Sequence, residues 1–237
     1  MFPKLGLINV NSPIVSSSCP ITLIGGVNPA PGTLSEALSI APNVVAADGG
    51  ADHALAAGLT PEAVVGDMDS ISEAARAAFK GVLHPIAEQN STDFDKALRH
   101  TDAPLVLGVG FSGARLDHEL GAMTVLVRHP ERRCILIGEE TIVLLCPPQI
   151  TLDLPMGSAV SLFPMAEVGC ESDGLRWPTG GLRFSPDAQI GTLNKVDGVV
   201  ALRPDAAKML LILPRAALGV TVQALLKNGE KWPVRAE

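Results

Sequence analysis

The chain has 237 residues, of which 47% are hydrophobic and 18% are charged, and its formal net charge is −7. This composition supplies enough apolar material for a core and excludes a disordered chain. The acidic balance argues against a nucleic-acid or anionic-membrane surface, because such a surface requires a basic patch.

The cysteines and the N-terminal residues indicate where the protein works. The four cysteines are dispersed and form no CxxC pair, so we interpret them as small apolar residues in a reducing cytosol. Asn9, Asn11 and Ser12 interrupt the first apolar residues, and no apolar run approaches membrane-spanning length. We therefore expect a cytoplasmic protein without a membrane partner.

From Ile21 to about Cys146, short apolar runs alternate with helical segments. Thr33 is expected to cap the first helix, since Glu36 follows at the capping-box spacing. Alternation of this kind predicts a mostly parallel, Rossmann-like sheet with helices on both faces. The predicted strands are Ile21–Ile24, Val44–Ala47, Ala63–Val65, Val82–Ile86, Leu105–Val109, Cys134–Ile137 and Ile142–Leu145, and the predicted helices are Thr33–Ser39, Ala51–Ala57, Ser72–Lys80, Thr92–His100 and Leu116–Arg128.

After Pro147 and Pro148, only short apolar runs follow, and no long helical period is visible. This pattern predicts a small β-sandwich or barrel. We therefore predict an α/β domain over residues 1–148, with the placement of residues 1–20 left open, and a small all-β sandwich domain over residues 149–237. The strands predicted in the second half are Ile150–Leu154, Ala159–Phe163, Gly174–Trp177, Val199–Leu202 and Met209–Leu213.

Aspartates follow two of the predicted strands. Asp48 and Gly49 come directly after the second strand, and Asp67 and Asp69 follow the third. Carboxylates two residues apart at the end of a strand point to the same side. Since Mg²⁺ takes oxygen ligands from carboxylates and substrate phosphates, these turns predict a metal site for phosphate chemistry. The alternative is a polar turn that caps the next helix. The Asp48 carboxylate could also reach a ribose or an amine in place of a metal.

A second motif lies at the start of the fourth predicted helix. Thr92 can cap this helix, Asp93 lies in its first turn, and Lys96 follows on the same face. Asp93 could help hold a metal while Lys96 and the helix N-terminus face phosphate oxygens. The alternative is ordinary capping with a surface salt bridge.

A third motif is a glycine-rich turn. The turn Gly110–His118 lies between a strand and a helix, where backbone N–H groups and Arg115 can bind phosphate. The pair of Arg115 and Asp117 strengthens this interpretation.

Trp177 could be a core or edge-strand residue, or it could be a stacking surface for a flat cationic ring.

Together, these motifs resemble the thiamine pyrophosphokinase family. The resemblance extends from about Ile21 to Pro214 and is looser in the second half. The segments that match are ADGGADHAL, PEAVVGDMDSI, QNSTDFDKAL and GFSGARLDHELG in the first half and DGLRWP and GTLNK in the second.

The resemblance implies a homodimer of α/β and β-sandwich domains with active sites between subunits. It implies transfer of pyrophosphate from ATP to the hydroxyethyl group of thiamine, which gives thiamine diphosphate and AMP. It assigns Mg²⁺ to Asp67, Asp69 and Asp93, the ATP phosphates to Asp48, Gly49, Lys96, Ser112, Gly113, Arg115 and Asp117, and thiamine to Gln89, Trp177 and Asn194, with Asp67, Asp69, Asp93, Lys96 and Arg115 as the catalytic set.

The sequence departs from the family at Leu193. The family typically has Ser-Asn where this chain has Leu193-Asn194, followed by Lys195 in place of an acid. This difference leaves open a related Mg²⁺-dependent diphosphokinase acting on another alcohol, such as a pterin. The same aspartates could also serve a phosphohydrolase, and the same fold could serve a non-catalytic nucleotide-binding sensor.

Overall fold

The computed structural model describes residues 12–113, 115–227 and 230–235. The strands are β1 (Val15–Ser16), β2 (Ile21–Ile24), β3 (Asn43–Ala47), β4 (Ala63–Gly66), β5 (Leu83–Pro85), β6 (Thr101–Asp102), β7 (Val106–Val109), β8 (Cys134–Ile137), β9 (Thr141–Leu145), β10 (Ile150–Leu152), β11 (Ala159–Pro164), β12 (Val168–Leu175), β13 (Arg183–Phe184), β14 (Gly191–Pro204) and β15 (Met209–Pro214). The helices are α1 (Thr33–Ile40), α2 (Gly50–Ala56), α3 (Glu73–Ala78), α4 (Asp93–Arg99), α5 (Leu116–Arg128) and α6 (Leu218–Lys227).

Parallel strands form the first half of the main sheet, in the order β8-β7-β2-β3-β4-β5. Side chains alternate between the two faces of a strand, and both faces are buried here. Val45 and Val65 pack in a cluster with residues of α4 and α5, whereas Val44 and Val64 pack with residues of α2 and α3. The prediction of helices on both faces is therefore confirmed.

The same sheet continues into the second half through antiparallel strands. β9 pairs with β8 on one side and with β15 on the other, and β15 pairs with β11. The long strand β14 then pairs with β11 near its start and with β10 and β12 further along. The sheet is thus mixed, and its hydrogen bonds connect the two halves of the chain. The division at residue 148 stays a prediction.

Three of the local expectations are wrong. The strand expected at Gly174–Trp177 is instead the end of β12, which stops at Leu175. Helix α6 was not expected, although Leu218, Val222 and Leu225 are buried at helical spacing. Thr33 is not the cap of α1, because Gly32 takes the N-cap position with a left-handed φ of 76° and Thr33 is the first helical residue. Glycine adopts this conformation without a steric penalty, and α1 begins without a side-chain cap.

The N-terminal segment is attached to the α/β half as far as it is described. β1 pairs in parallel with β6, and the backbone N–H of Ile14 donates to the His100 carbonyl at 2.8 Å. Of the first twenty residues, whose placement the sequence left open, 1–11 lie outside the described part of the chain.

Burial agrees with a structural interpretation of most cysteines. Cys134, Cys146 and Cys170 are buried, and all four cysteines are free thiols. Burial raises the pKa of Cys134, Cys146 and Cys170. Within the described ranges, no helix combines the length and the apolar character that crossing a bilayer requires.

Candidate active site

The turns that follow β2, β3, β4 and β7 meet at the carboxyl edge of the parallel strands. The backbones of these turns approach one another so closely that several contact positions have room only for glycine. A β carbon added to Gly66 would lie 2.7 Å from the Cβ of Asp48, and one added to Gly25 would overlap the carbonyl oxygen of Gly110. The absence of side chains at these positions allows the neighbouring turns to form one site.

Three carboxylates converge at this edge. Asp48, Asp67 and Asp93 each offer an oxygen atom, and these atoms all lie within 4.8 Å of one another. We call these residues the carboxylate group. Asp69, which the sequence placed with Asp67 and Asp93, lies outside this group: it is exposed, and its carboxylate accepts a hydrogen bond of 2.8 Å from the Ser70 hydroxyl. The structure thus brings Asp48 closest to the other two.

Lys96 supplies the positive charge beside the carboxylate group. Its side chain is 1% exposed, and its Nζ lies 3.3 Å from Asp67 Oδ2 and 3.1 Å from Asp93 Oδ1. Burial by itself lowers the pKa of Lys96, but its bonds to the two aspartates outweigh burial and raise that pKa. The expected cap is confirmed, since Thr92 Oγ1 accepts from the Asp95 N–H at 3.2 Å. The alternative of a surface salt bridge is wrong, because the lysine is buried.

The group as a whole fits a hard divalent cation. Asp48 is 3% exposed, and burial, together with the charge of Asp93, raises its pKa. Its Oδ2 accepts from the Ser70 N–H at 3.1 Å, but its Oδ1 has no hydrogen-bond partner among the described residues. Buried carboxylate charge needs a partner, and one lysine does not neutralise three carboxylates. An all-oxygen donor set is what Mg²⁺ prefers.

Hydrogen bonds hold Asp67 in its ionised form. Burial by itself raises the pKa of Asp67, but the Asp69 N–H, Lys96 and Gln89 donate to its carboxylate and lower that pKa overall. Gln89 Nε2 lies 3.1 Å from Asp67 Oδ2. Asp67 is therefore a preorganised anion, whereas burial disfavours the charge of Asp48.

A strained residue separates Asp67 from Asp69. Met68 has a left-handed φ of 68°, which is uncommon for a residue with a side chain. Its side chain is buried, and its carbonyl accepts a hydrogen bond of 2.5 Å from Arg76 Nη2. Sequence reasoning missed Arg76, because its spacing to the aspartates carries no signal without the bend at Met68.

The glycine-rich turn lies beside this site, and its exposure increases from buried Gly110 to exposed Gly113. Gly110 and Gly113 have positive φ angles of 81° and 96°. Ala114, between the turn and α5, lies outside the described residues. The Phe111 ring lies 4.4 Å from the ring of Phe94, which follows Asp93 in α4, so the turn packs on the helix that supplies the acid and the lysine.

The predicted phosphate ligands of this turn have partners within the chain. Arg115 donates to Asp117 at 3.1 Å from Nε and at 2.5 Å from Nη2, and these bonds lower the pKa of Asp117 to about 2. Both side chains are exposed. The Gly113 N–H donates to Glu119 Oε1 at 2.6 Å, and the Ser112 hydroxyl lies beside Gly138. Gly49, in the neighbouring turn, lies against Ser70.

The predicted thiamine residues of the second half form a separate surface. Asn194 accepts from the Trp177 N–H at 3.2 Å and donates to the Trp177 carbonyl at 2.6 Å. The Trp177 side chain is 55% exposed, and Leu193 is 73% exposed with a left-handed φ of 62°. We call Trp177, Leu193 and Asn194 the tryptophan surface. Asn194 holds the backbone of Trp177, and the exposed indole ring has the guanidinium of Arg176 5.9 Å from its centroid.

The family model that matches this chain is the thiamin pyrophosphokinase catalytic domain, over residues 34–137. The predicted family resemblance is confirmed over this segment. It contains every member of the carboxylate group, Lys96 and the glycine-rich turn. The tryptophan surface lies outside it.

Curated plant proteins named thiamine pyrophosphokinase are similar to the chain. Thiamine pyrophosphokinase 1 of Arabidopsis thaliana is 27% identical over 156 residues, which are 57% of this chain and 58% of that protein. Thiamine pyrophosphokinase 1 of Oryza sativa subsp. japonica is 27% identical and is matched over 60% of its length. The alignments thus span less than two thirds of these two relatives.

Solved structures agree on the fold. The thiamin pyrophosphokinase of Geobacillus thermodenitrificans superposes with a TM-score of 0.67 at 21% identity, covering 82% of this chain and 96% of that one. The yeast enzyme superposes with a TM-score of 0.66 at 16% identity, covering 96% of both chains. A mixed α/β fold with a large sheet is common to all three.

Proposed function

We propose that this protein is a thiamine pyrophosphokinase, which transfers pyrophosphate from ATP to the hydroxyl of thiamine and releases AMP. The observation that supports this most directly is the convergence of Asp48, Asp67 and Asp93 on buried Lys96, inside the segment that matches the catalytic-domain family. The named relatives support the same activity.

Asp48, Asp67 and Asp93 would hold Mg²⁺, with Asp69 beside them as the motif predicts. The bound cation would neutralise negative charge on the triphosphate. Lys96 binds and orients phosphate oxygens from its fixed position between two carboxylates, and this positioning contributes most of the catalysis in a phosphoryl-type transfer. Arg115, Ser112, Gly113 and the Asp48-Gly49 turn complete the phosphate site. Asp117 orients Arg115.

Thiamine would be bound by Gln89 and by the tryptophan surface. The exposed indole of Trp177 suits a flat cationic ring, since a cation over a tryptophan face is attracted to it. We propose that the protein is a cytoplasmic homodimer, in which the tryptophan surface of one subunit faces the carboxylate group of the other. In this proposal residues 1–148 are the Rossmann-like ATP domain and residues 149–237 are the thiamine-binding β-sandwich.

The test is incubation of the purified protein with Mg-ATP and thiamine, followed by quantification of thiamine diphosphate and AMP. Formation of both in equal amounts is the expected result, and Lys96→Met is the matched low-activity control. Release of ADP or free phosphate instead would contradict the proposal.

A second candidate is a diphosphokinase acting on another alcohol, such as a pterin. The observation in its favour is Leu193, an exposed apolar side chain where the family typically has serine. The same assay separates the two, because AMP would then form with the pterin and not with thiamine.

A further inference from the structure

Gln89 contacts the carboxylate group from an exposed loop. Its Nε2 donates to Asp67 Oδ2, the oxygen that also accepts from Lys96. The loop runs from β5 to α4, and the Gln89 side chain itself is exposed. An exposed glutamine side chain adopts several rotamers in solution. A fixed loop backbone is therefore needed to keep the Gln89 amide within hydrogen-bond distance of Asp67.

The Glu88 carboxylate accepts hydrogen bonds from the two residues that follow Gln89 in this loop. Glu88 Oε2 accepts from the backbone N–H of Asn90 at 2.7 Å and of Ser91 at 3.1 Å. Glu88 Oε1 accepts from the Ser91 hydroxyl and, at 2.9 Å, from Arg99 Nη2. Two of these bonds are to the backbone immediately after Gln89. Glu88 therefore fixes the backbone of the loop to which it belongs.

Arg99 connects this carboxylate to α4. Its Nη2 donates to Glu88 and its Nη1 donates to the Ser91 hydroxyl at 3.1 Å. Because Arg99 lies in the last turn of the helix that begins at Asp93, the loop and the helix are held as one unit. An isolated surface ion pair contributes little. Here the pair adds charge-assisted bonds to backbone groups that no strand or helix satisfies.

We propose that Glu88 and Arg99 form a clasp that positions Gln89 against Asp67. The proposal rests on the proposed function insofar as Asp67 and Gln89 serve the transfer to thiamine. Glu88 and Arg99 are positioning residues. They act on the substrate only through Gln89, and nothing in the family match assigns them a role.

The main variant is Glu88→Gln, which keeps the shape of the side chain and removes its charge. We expect kcat/KM for thiamine to fall by about tenfold, which is the lower end of the usual loss for a residue that supports a ligand without contacting the substrate itself. The KM for Mg-ATP should change by less than about twofold. Glu167→Gln is the matched control, since it removes the same charge from an exposed pair with Arg183. Equal losses in both variants would overturn the clasp.

A double-variant cycle separates positioning from general stability. In the background of Gln89→Ala, Glu88→Gln should cause no further loss for thiamine, because the residue through which it acts is gone. Additive losses would contradict the proposal. Arg99→Met is a less clean variant, since Arg99 Nη1 also lies 3.5 Å from buried Asp95.

A measurement without substrate keeps this inference independent of the proposed function. Amide hydrogen exchange at Asn90 and Ser91 should accelerate about tenfold or more in Glu88→Gln and stay unchanged in Glu167→Gln. The side-chain amide resonances of Gln89 should move toward those of free glutamine. Unchanged exchange and resonances would overturn the clasp. If the wild-type protein formed no thiamine diphosphate, only the proposed function would fail.

Discussion

The carboxylate group and the tryptophan surface are built in opposite ways. Asp48 and Lys96 are almost fully buried, and each member of the first site has partners within the chain. Trp177 and Leu193 are exposed, although hydrogen bonds hold their backbones and the Arg176 guanidinium lies 5.9 Å from the Trp177 ring. The first site is preorganised by the fold of the chain, whereas the second leaves large apolar side chains exposed. Variants at the first site should therefore change turnover, and variants at the second should change affinity.

The largest expected effect is at Asp67. Asp67→Asn should lower kcat by about 10³-fold, because it removes one anionic ligand from a preorganised electrostatic site. The thermal midpoint should change little, since the amide keeps the volume of the side chain. The measurement is steady-state kinetics together with thermal unfolding.

Asp69→Asn is the comparison variant for this prediction. The motif assigns Asp69 to the metal, so its loss should also lower turnover by orders of magnitude, about 10²-fold. A loss smaller than that of Asp67→Asn agrees with the exposed position of Asp69. Near-normal activity in both variants would contradict the metal site.

The next effect concerns Lys96. Lys96→Met should lower kcat by about 10²-fold and should destabilise the metal-free protein by about 1 kcal/mol, because the partly buried carboxylates of Asp67 and Asp93 lose the cation that pairs with them among the described residues. Added Mg²⁺ should recover part of this loss, since the cation neutralises the same oxygens. Thermal melts with and without Mg²⁺ measure it. A variant that melts like the wild type in metal-free buffer would contradict the electrostatic account.

A smaller effect is expected on the tryptophan surface. Trp177→Ala should raise KM for thiamine by about tenfold, equivalent to ~1.4 kcal/mol of cation–π and stacking contact, with little change in KM for ATP. Trp177→Phe should retain part of the affinity. Equal changes in both Michaelis constants would indicate that Trp177 is structural.

Leu193 should give an effect on stability rather than on turnover. Leu193→Gly should raise the unfolding free energy by up to about 1 kcal/mol, because glycine adopts the left-handed backbone that costs leucine energy. Leu193→Ala is the control, since it removes the exposed side chain and keeps the strain. If alanine stabilises the protein as much as glycine, the strain is not the cause.

The smallest effect is the pH dependence of the clasp. Hydrogen bonds from Ser91, and then from Arg99 and the Asn90 N–H, lower the pKa of Glu88 from 4.5 to about 2. A lowered carboxyl pKa stabilises the folded state above pH 4.5, and this contribution is lost as the pH falls toward 2. The stability difference between wild type and Glu88→Gln should therefore shrink across this range in denaturant titrations. A constant difference would contradict the assignment.

The sequence alone determined the parallel half of the fold and the residue types of the first site. Buried strands such as Ala63–Gly66 form continuous apolar runs, and the glycines and aspartates that follow them have strong local signals. The extent of β14 and the presence of α6 were missed. In β14, polar residues and glycines resemble loop sequence, and only pairing with β10, β11 and β12 makes them a strand.

Only the tertiary structure decided which carboxylates meet. The spacing of Asp67 and Asp69 suggested that both point to one site, but the left-handed turn at Met68 separates them and Asp48 from the adjacent strand takes the nearer place. Burial of Lys96 likewise depends on the packing of α4 against the sheet, which no local pattern specifies. Local sequence encodes which groups are available, whereas distances between strands far apart in the chain are fixed by the sheet.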